Sequence, residues 1–118
     1  MTDIVIETLF PDKNNLIEIE MRADGVLIDF TSVTRYLLTM TYNRDESVIE
    51  TVDTDINAGA ITGDSVGVIV IDIGLLATSF QKGRYKTRLC IYDPSNVEGL
   101  VIIDSCSISH PKLNIDVC

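Results

Sequence analysis

The stretch Arg84-Tyr85-Lys86-Thr87-Arg88-Leu89-Cys90-Ile91-Tyr92 alternates strictly. Tyr85, Thr87, Leu89 and Ile91 lie on one face of an extended chain and Arg84, Lys86 and Arg88 on the other. A period of two is the signature of a half-buried β-strand, because successive side chains project to opposite sides of a pleated backbone. Asp93-Pro94-Ser95-Asn96 then closes the strand with turn chemistry.

The same period recurs on both sides of this stretch. Upstream, residues 33–42 place Tyr36, Leu38, Met40 and Tyr42 on one face and Arg35, Thr39 and Thr41 on the other. Residues 16–21 set Ile17, Ile19 and Met21 against Glu18 and Glu20, before an Asp24-Gly25 turn. Residues 3–9, 47–52 and 100–109 read as further strands, as do Leu113, Ile115 and Val117 after Pro111. Residues 66–73 are apolar on both faces, as a central strand is. Residues 53–64 are turn-rich. Only residues 74–80 read as a helical turn, ended by Lys82-Gly83. Seven to nine short strands with regular turns are the pattern of an all-β, mainly antiparallel sandwich or barrel, and a sandwich of two packed sheets is expected. Tyr36, Leu38, Val68, Val70, Tyr85, Leu89 and Ile91 are its expected core.

The chain has 118 residues, of which 46% are hydrophobic, so one domain over residues 1–118 with a real core is expected. Its 18 acidic residues against 9 basic ones give a net charge of −9. That balance points away from nucleic acid and from anionic membranes. No apolar run approaches the roughly 18 residues of a membrane span. Asp3 and Glu7 stand where an export signal carries basic residues, so no such signal is expected. Cys90, Cys106 and Cys118 are odd in number and lack a framework spacing, which predicts free thiols made in a reducing cytoplasm.

Three segments carry a resemblance to a known family. They are Ala23-Asp24-Gly25-Val26-Leu27-Ile28-Asp29-Phe30-Thr31-Ser32-Val33, residues 60–73 from Ala60-Ile61-Thr62-Gly63 onward, and Phe80-Gln81-Lys82-Gly83-Arg84-Tyr85 through Leu89-Cys90-Ile91-Tyr92-Asp93. In this order they resemble the immunoglobulin-like domains of tailed-bacteriophage virion proteins, namely the N-terminal domain of upper baseplate proteins and related tail and head appendage modules. Phe30 and Ser32-Val33 replace the family's Leu and Gly-Ala. The resemblance implies an immunoglobulin-like sandwich and a structural role in a virion. It also implies assembly with other virion proteins and copies of itself, with no catalytic residues and no cofactor. The third segment has a physical reading too. Gly83 permits a tight turn, and Tyr85 after it can bond back to the connecting backbone while its ring fills the core.

No constellation in the sequence marks an enzyme. His110 is the only histidine, and a Ser–His–Asp or Cys–His site would have to use it; a surface or structural histidine in a loop is expected. Asp53-Thr54-Asp55-Ile56-Asn57 alternates oxygen donors, and Asp64 stands at the twelfth position counted from Asp53. The sixth position is Ala58 where a calcium loop needs Gly, so an acidic solvated loop with no metal is expected. Lys82, Arg84, Lys86 and Arg88 hold four of the nine basic residues. Between Arg44 and Lys82 there is no basic residue, and that stretch carries Asp45, Glu46, Asp53 and Asp55. Two readings follow: pairing inside the chain, with acidic neighbours such as Glu18 and Glu20, or docking of the basic strand on the acidic loop of another copy. A different class of function is a carbohydrate- or calcium-binding module, which the absence of Trp weakens.

Overall fold

The computed structural model describes residues 4–118. Two sheets and a small ribbon enclose one hydrophobic core. The larger sheet contains β1 (Ile4–Leu9), β5 (Arg35–Tyr42), β6 (Ile49–Asp53), β9 (Gly83–Asp93), β10 (Asn96–Asp104) and β11 (Lys112–Val117), and its main order is β1-β11-β9-β5-β6. The smaller sheet runs β2 (Ile17–Glu20), β8 (Val68–Ile71) and β7 (Ile61–Gly63). β3 (Arg22–Ala23) and β4 (Val26–Leu27) form a two-stranded ribbon around the Asp24-Gly25 turn. The pairings are antiparallel except that of β1 with β11, which is parallel. The expected first strand is described from Ile4 to Leu9, and Asp3 lies outside the described residues.

β5 and β9 are the central pair. They align from Arg35 opposite Tyr92 to Tyr42 opposite Tyr85. Both bury the face that alternation assigns: Tyr36, Leu38, Met40 and Tyr42 from β5, and Tyr85, Thr87, Leu89 and Ile91 from β9. Each fully buried large apolar side chain stabilises the fold by about 1.5–3 kcal/mol. The one polar member, Thr87, is satisfied because its Oγ1 donates to the Leu113 carbonyl at 2.7 Å.

β10 and β11 share one edge of β9. Along that edge β10 covers Arg88 to Asp93, and β11 covers Gly83 to Lys86, running in the same direction. Between them residues 105–111 leave the sheet and return. The Asp104 amide donates to the Pro111 carbonyl at 3.0 Å, which closes the base of this excursion. The strand expected over 100–109 therefore begins earlier, at Asn96, and ends at Asp104. The Asp93-Pro94-Ser95-Asn96 turn is a hairpin tight enough to pair Asn96 with Asp93.

In β8 the expected phase is wrong. Val68 and Val70 are half-buried, and Ile69 and Ile71, with Ile73 beyond the strand, fill the core. An all-apolar run has no alternation to set its phase. The register against β2 sets it, with Ile17 opposite Ile71 and Ile19 opposite Ile69. The strand is also shorter than expected because Val66 and Gly67 belong to a turn. β7 and the β3–β4 ribbon arise in stretches that read as turns. The helical turn is a 3-10 helix over Gly74–Ser79.

The two sheets leave the sandwich open along two opposite sides. On one side, Val5 of β1 and Ile19 of β2 border an apolar cleft of about 200 Å³ with Pro111 and Leu113. On the other, Thr54 just past β6 and Thr62 of β7 border a second groove.

Candidate functional site

The basic strand finds its partners inside the chain. Arg84 forks onto Asp116, with Nε to Oδ1 at 2.7 Å and Nη2 to Oδ2 at 2.9 Å. Arg88 Nε reaches Asp104 at 3.3 Å, and Lys86 Nζ lies 3.9 Å from Glu46. These partners sit on strands of the same sheet and on the β5–β6 turn. Glu18 and Glu20 are not among them: β2 belongs to the other sheet, and Glu20 pairs with Arg22 instead. Lys82 is exposed, and its carbonyl accepts the Tyr42 hydroxyl at 2.8 Å.

The acidic residues are likewise engaged. Asp53 takes both branches of the Arg35 guanidinium, with Nε to Oδ1 at 2.9 Å, and Asp55 lies 3.4 Å from the same Arg. Arg35 also stacks over the Tyr92 ring at 4.6 Å. Its hydrogen bonds hold the Asp53 carboxyl below the usual aspartate range. Asp45 accepts the amide and hydroxyl of Ser47, at 3.0 and 2.6 Å, which lowers its own pKa. Asp64 accepts the amides of Val66 and Val68. The carboxylates of the 53–64 loop thus serve the arginine and the local turns. Among the described residues no group of three or more His, Cys, Asp or Glu is gathered to hold a metal ion. His110 Nδ1 lies 2.8 Å from Ser107 Oγ and 3.3 Å from Ser109 Oγ, inside the 105–111 excursion.

The turn into β9 is held by two tyrosines. Tyr85 is fully buried and donates its hydroxyl to the Gln81 carbonyl at 2.8 Å. Tyr42 packs against it at a tilt, with ring centroids 5.1 Å apart, and donates its hydroxyl to the neighbouring Lys82 carbonyl. Gly83 sits beneath the Tyr42 ring.

The sequence reading missed the groove on the β6–β7 side. Its volume is about 320 Å³, and no charged side chain lines it. Residues 30–34 form one part of its lining and residues 58–63 another, with Tyr36 buried beneath at 6% exposure. The Tyr36 hydroxyl crosses from β5 into the space that a Cβ on Gly63 would fill. Burial, with Asp64 nearby, pushes this phenol up to about 12, so it stays a protonated donor. The Tyr36 amide is satisfied by Thr54 Oγ1 at 2.9 Å. A second hollow of about 270 Å³, sharing Ala58 and Gly59, extends the surface to the exposed Leu75 and Leu76. The available signal was the clustering of charge-free runs at 30–34, 56–63 and 73–81 in a chain of net charge −9.

Comparison with protein-family models and with curated proteins returns no match. The three cysteines are free, Cys90 half-buried and Cys106 and Cys118 exposed. Among the described residues no helix is long and apolar enough to cross a membrane.

Proposed function

We propose that this chain is a structural component of a tailed-bacteriophage virion, an immunoglobulin-like sandwich built into a symmetric multimer with other capsid, neck or tail proteins. What supports this reading is the ordered set of three segments, the last of which, from Phe80 to Asp93, contains Gly83 and Tyr85. In it the tyrosine hydroxyl bonds back to the Gln81 carbonyl, as in the tyrosine corner of immunoglobulin-type sandwiches. The role is non-catalytic and needs no cofactor. Partners are proteins, since a net charge of −9 opposes both nucleic acid and anionic lipid. The chain is made in the host cytoplasm and ends in the particle. Internal pairing of Arg84, Lys86 and Arg88 favours an uncharged contact surface, because exposed ion pairs contribute only about 0–1 kcal/mol each. The test is mass spectrometry of particles purified from the phage that encodes the chain. The expected result is this chain at a fixed ratio to the major structural proteins; its absence from intact particles overturns the reading.

A further inference from the structure

The two sheets carry their charge differently. On the outer face of the larger sheet, Arg35, Arg84, Lys86 and Arg88 are matched by Asp53, Asp116, Glu46 and Asp104. The outer face of the smaller sheet has no such balance. With Ile17, Ile69 and Ile71 turned to the core, Glu18, Glu20, Val68 and Val70 stand outward, and Asp72 follows by the same alternation. The two valines lie opposite the glutamates of β2, and Val70 also lies opposite Thr62 of β7. Glu18, Glu20 and Thr62 are exposed and the valines half-buried, so no described element covers this face. Arg22 stands at its border, paired with Glu20.

Asp72 is shared with the hollow of about 270 Å³ and is the one charged residue in its lining. Leu75 and Leu76 form an apolar wall there, and Leu75 is 59% exposed. A carboxylate set against exposed leucines suits a long cationic side chain, whose apolar stem lies on the wall while its head meets the acid. Among the described residues no three acidic, His or Cys side chains gather to hold an ion, so the face offers separate charges to a surface.

We propose that the outer face of the smaller sheet docks a different protein, one whose contact surface carries lysine or arginine around an apolar centre, with one such side chain entering the hollow at Asp72. The proposal rests on the reading of the chain as an assembling subunit and names the face and the partner's chemistry. The centre of the contact, Val68 and Val70, is uncharged and supplies apolar area. The carboxylates around it select the partner and speed encounter. A second copy does not supply the match. Five of the nine basic side chains are held in ion pairs within the chain, and Lys112 is bonded to the Ser107 carbonyl. Of the other three, Lys13 follows Asp12, and Arg44 precedes Asp45 and Glu46. Another copy therefore meets this face mainly with carboxylates, which repel it.

A nuclear magnetic resonance titration of the isotope-labelled chain with a synthetic peptide alternating lysine and valine tests this. The expected amide shifts concentrate at Glu18, Glu20, Val68, Val70, Asp72 and Leu76, and the same peptide with glutamate for lysine produces none. Glu18→Gln combined with Asp72→Asn should weaken binding roughly 3- to 10-fold while keeping the parent's circular dichroism. Glu98→Lys, at an exposed site on β10, changes the net charge equally and should leave binding as in the parent. No shifts up to ~1 mM peptide overturn the proposal. So does Glu98→Lys weakening binding as much as the double variant, since net charge and not this face would then attract the peptide. The same shifts on concentrating the chain without peptide would put a second copy on the face and overturn it as well. Peptide bound here by a chain that mass spectrometry does not find in particles supports the face and removes the virion role. A chain found in particles that binds no peptide overturns this face alone.

Discussion

The Tyr42 ring occupies the space next to Gly83 so closely that a Cβ on residue 83 would lie 2.8 Å from Cε1 and 2.9 Å from the hydroxyl oxygen. Gly83 also has φ +134°, a backbone region that L side chains rarely adopt. The ring is held in place, because its hydroxyl is bonded to the Lys82 carbonyl and it packs at a tilt against the Tyr85 ring. Gly83→Ala is therefore expected to cost about 1–3 kcal/mol from backbone strain and overpacking. Urea unfolding followed by circular dichroism measures it. A midpoint unchanged from the parent would mean that the turn relaxes freely.

The phase of β8 is open to a direct comparison. Ile69 is fully buried and Val70 half-buried. Ile69→Ala should cost about 2–5 kcal/mol through lost transfer and a residual cavity. Val70→Ala should cost roughly 0.5–1.5 kcal/mol. Equal losses in paired denaturation curves would contradict the inward placement of Ile69.

Acid should expose the two arginine forks. Hydrogen bonds from Arg35 and Arg84 hold Asp53 and Asp116 below the ordinary aspartate value, ~3.9. A carboxyl whose folded pKa is depressed contributes stability above its unfolded pKa. That stability fades as pH falls through the lower folded value. The parent should thus lose stability as pH drops below ~4. The double variant Asp53→Asn with Asp116→Asn should be less stable at neutral pH and show a flatter acid limb. Thermal melts across that pH range read both; an acid limb as steep as the parent's would remove these two pairs as its cause.

The thiols should separate by rate. Cys106 and Cys118 are exposed, whereas burial pushes the half-buried Cys90 thiol up. Only the thiolate attacks a disulfide reagent. Titration of native, unreduced protein with an aromatic disulfide is expected to show two fast groups and one slow, and denatured protein three at once. A fast Cys90 would contradict its placement on the partly covered face of β9.

How much was legible follows from how alternation works. In β5, β9 and β11 the strand, its buried face and its core residues are all local properties of the chain. Charged or polar residues at most alternate positions leave only one side to be buried, and shifting the phase of β9 would bury Arg84 and Arg88. The Asp24-Gly25 and Pro94-Ser95 turns were equally local, since their residues favour the required backbone angles. The rest depends on contacts between segments far apart in the chain. The phase of β8 came from its partner β2, because its own residues are apolar on both faces. The partners of Arg84, Lys86 and Arg88 came from which strands lie in the same sheet, and Asp116 is 32 positions from Arg84. The groove over Tyr36 belongs to no single segment. Residues 30–34, Thr54 and β7 meet there only because the two sheets close around one core, and surfaces made by distant segments have no period to read.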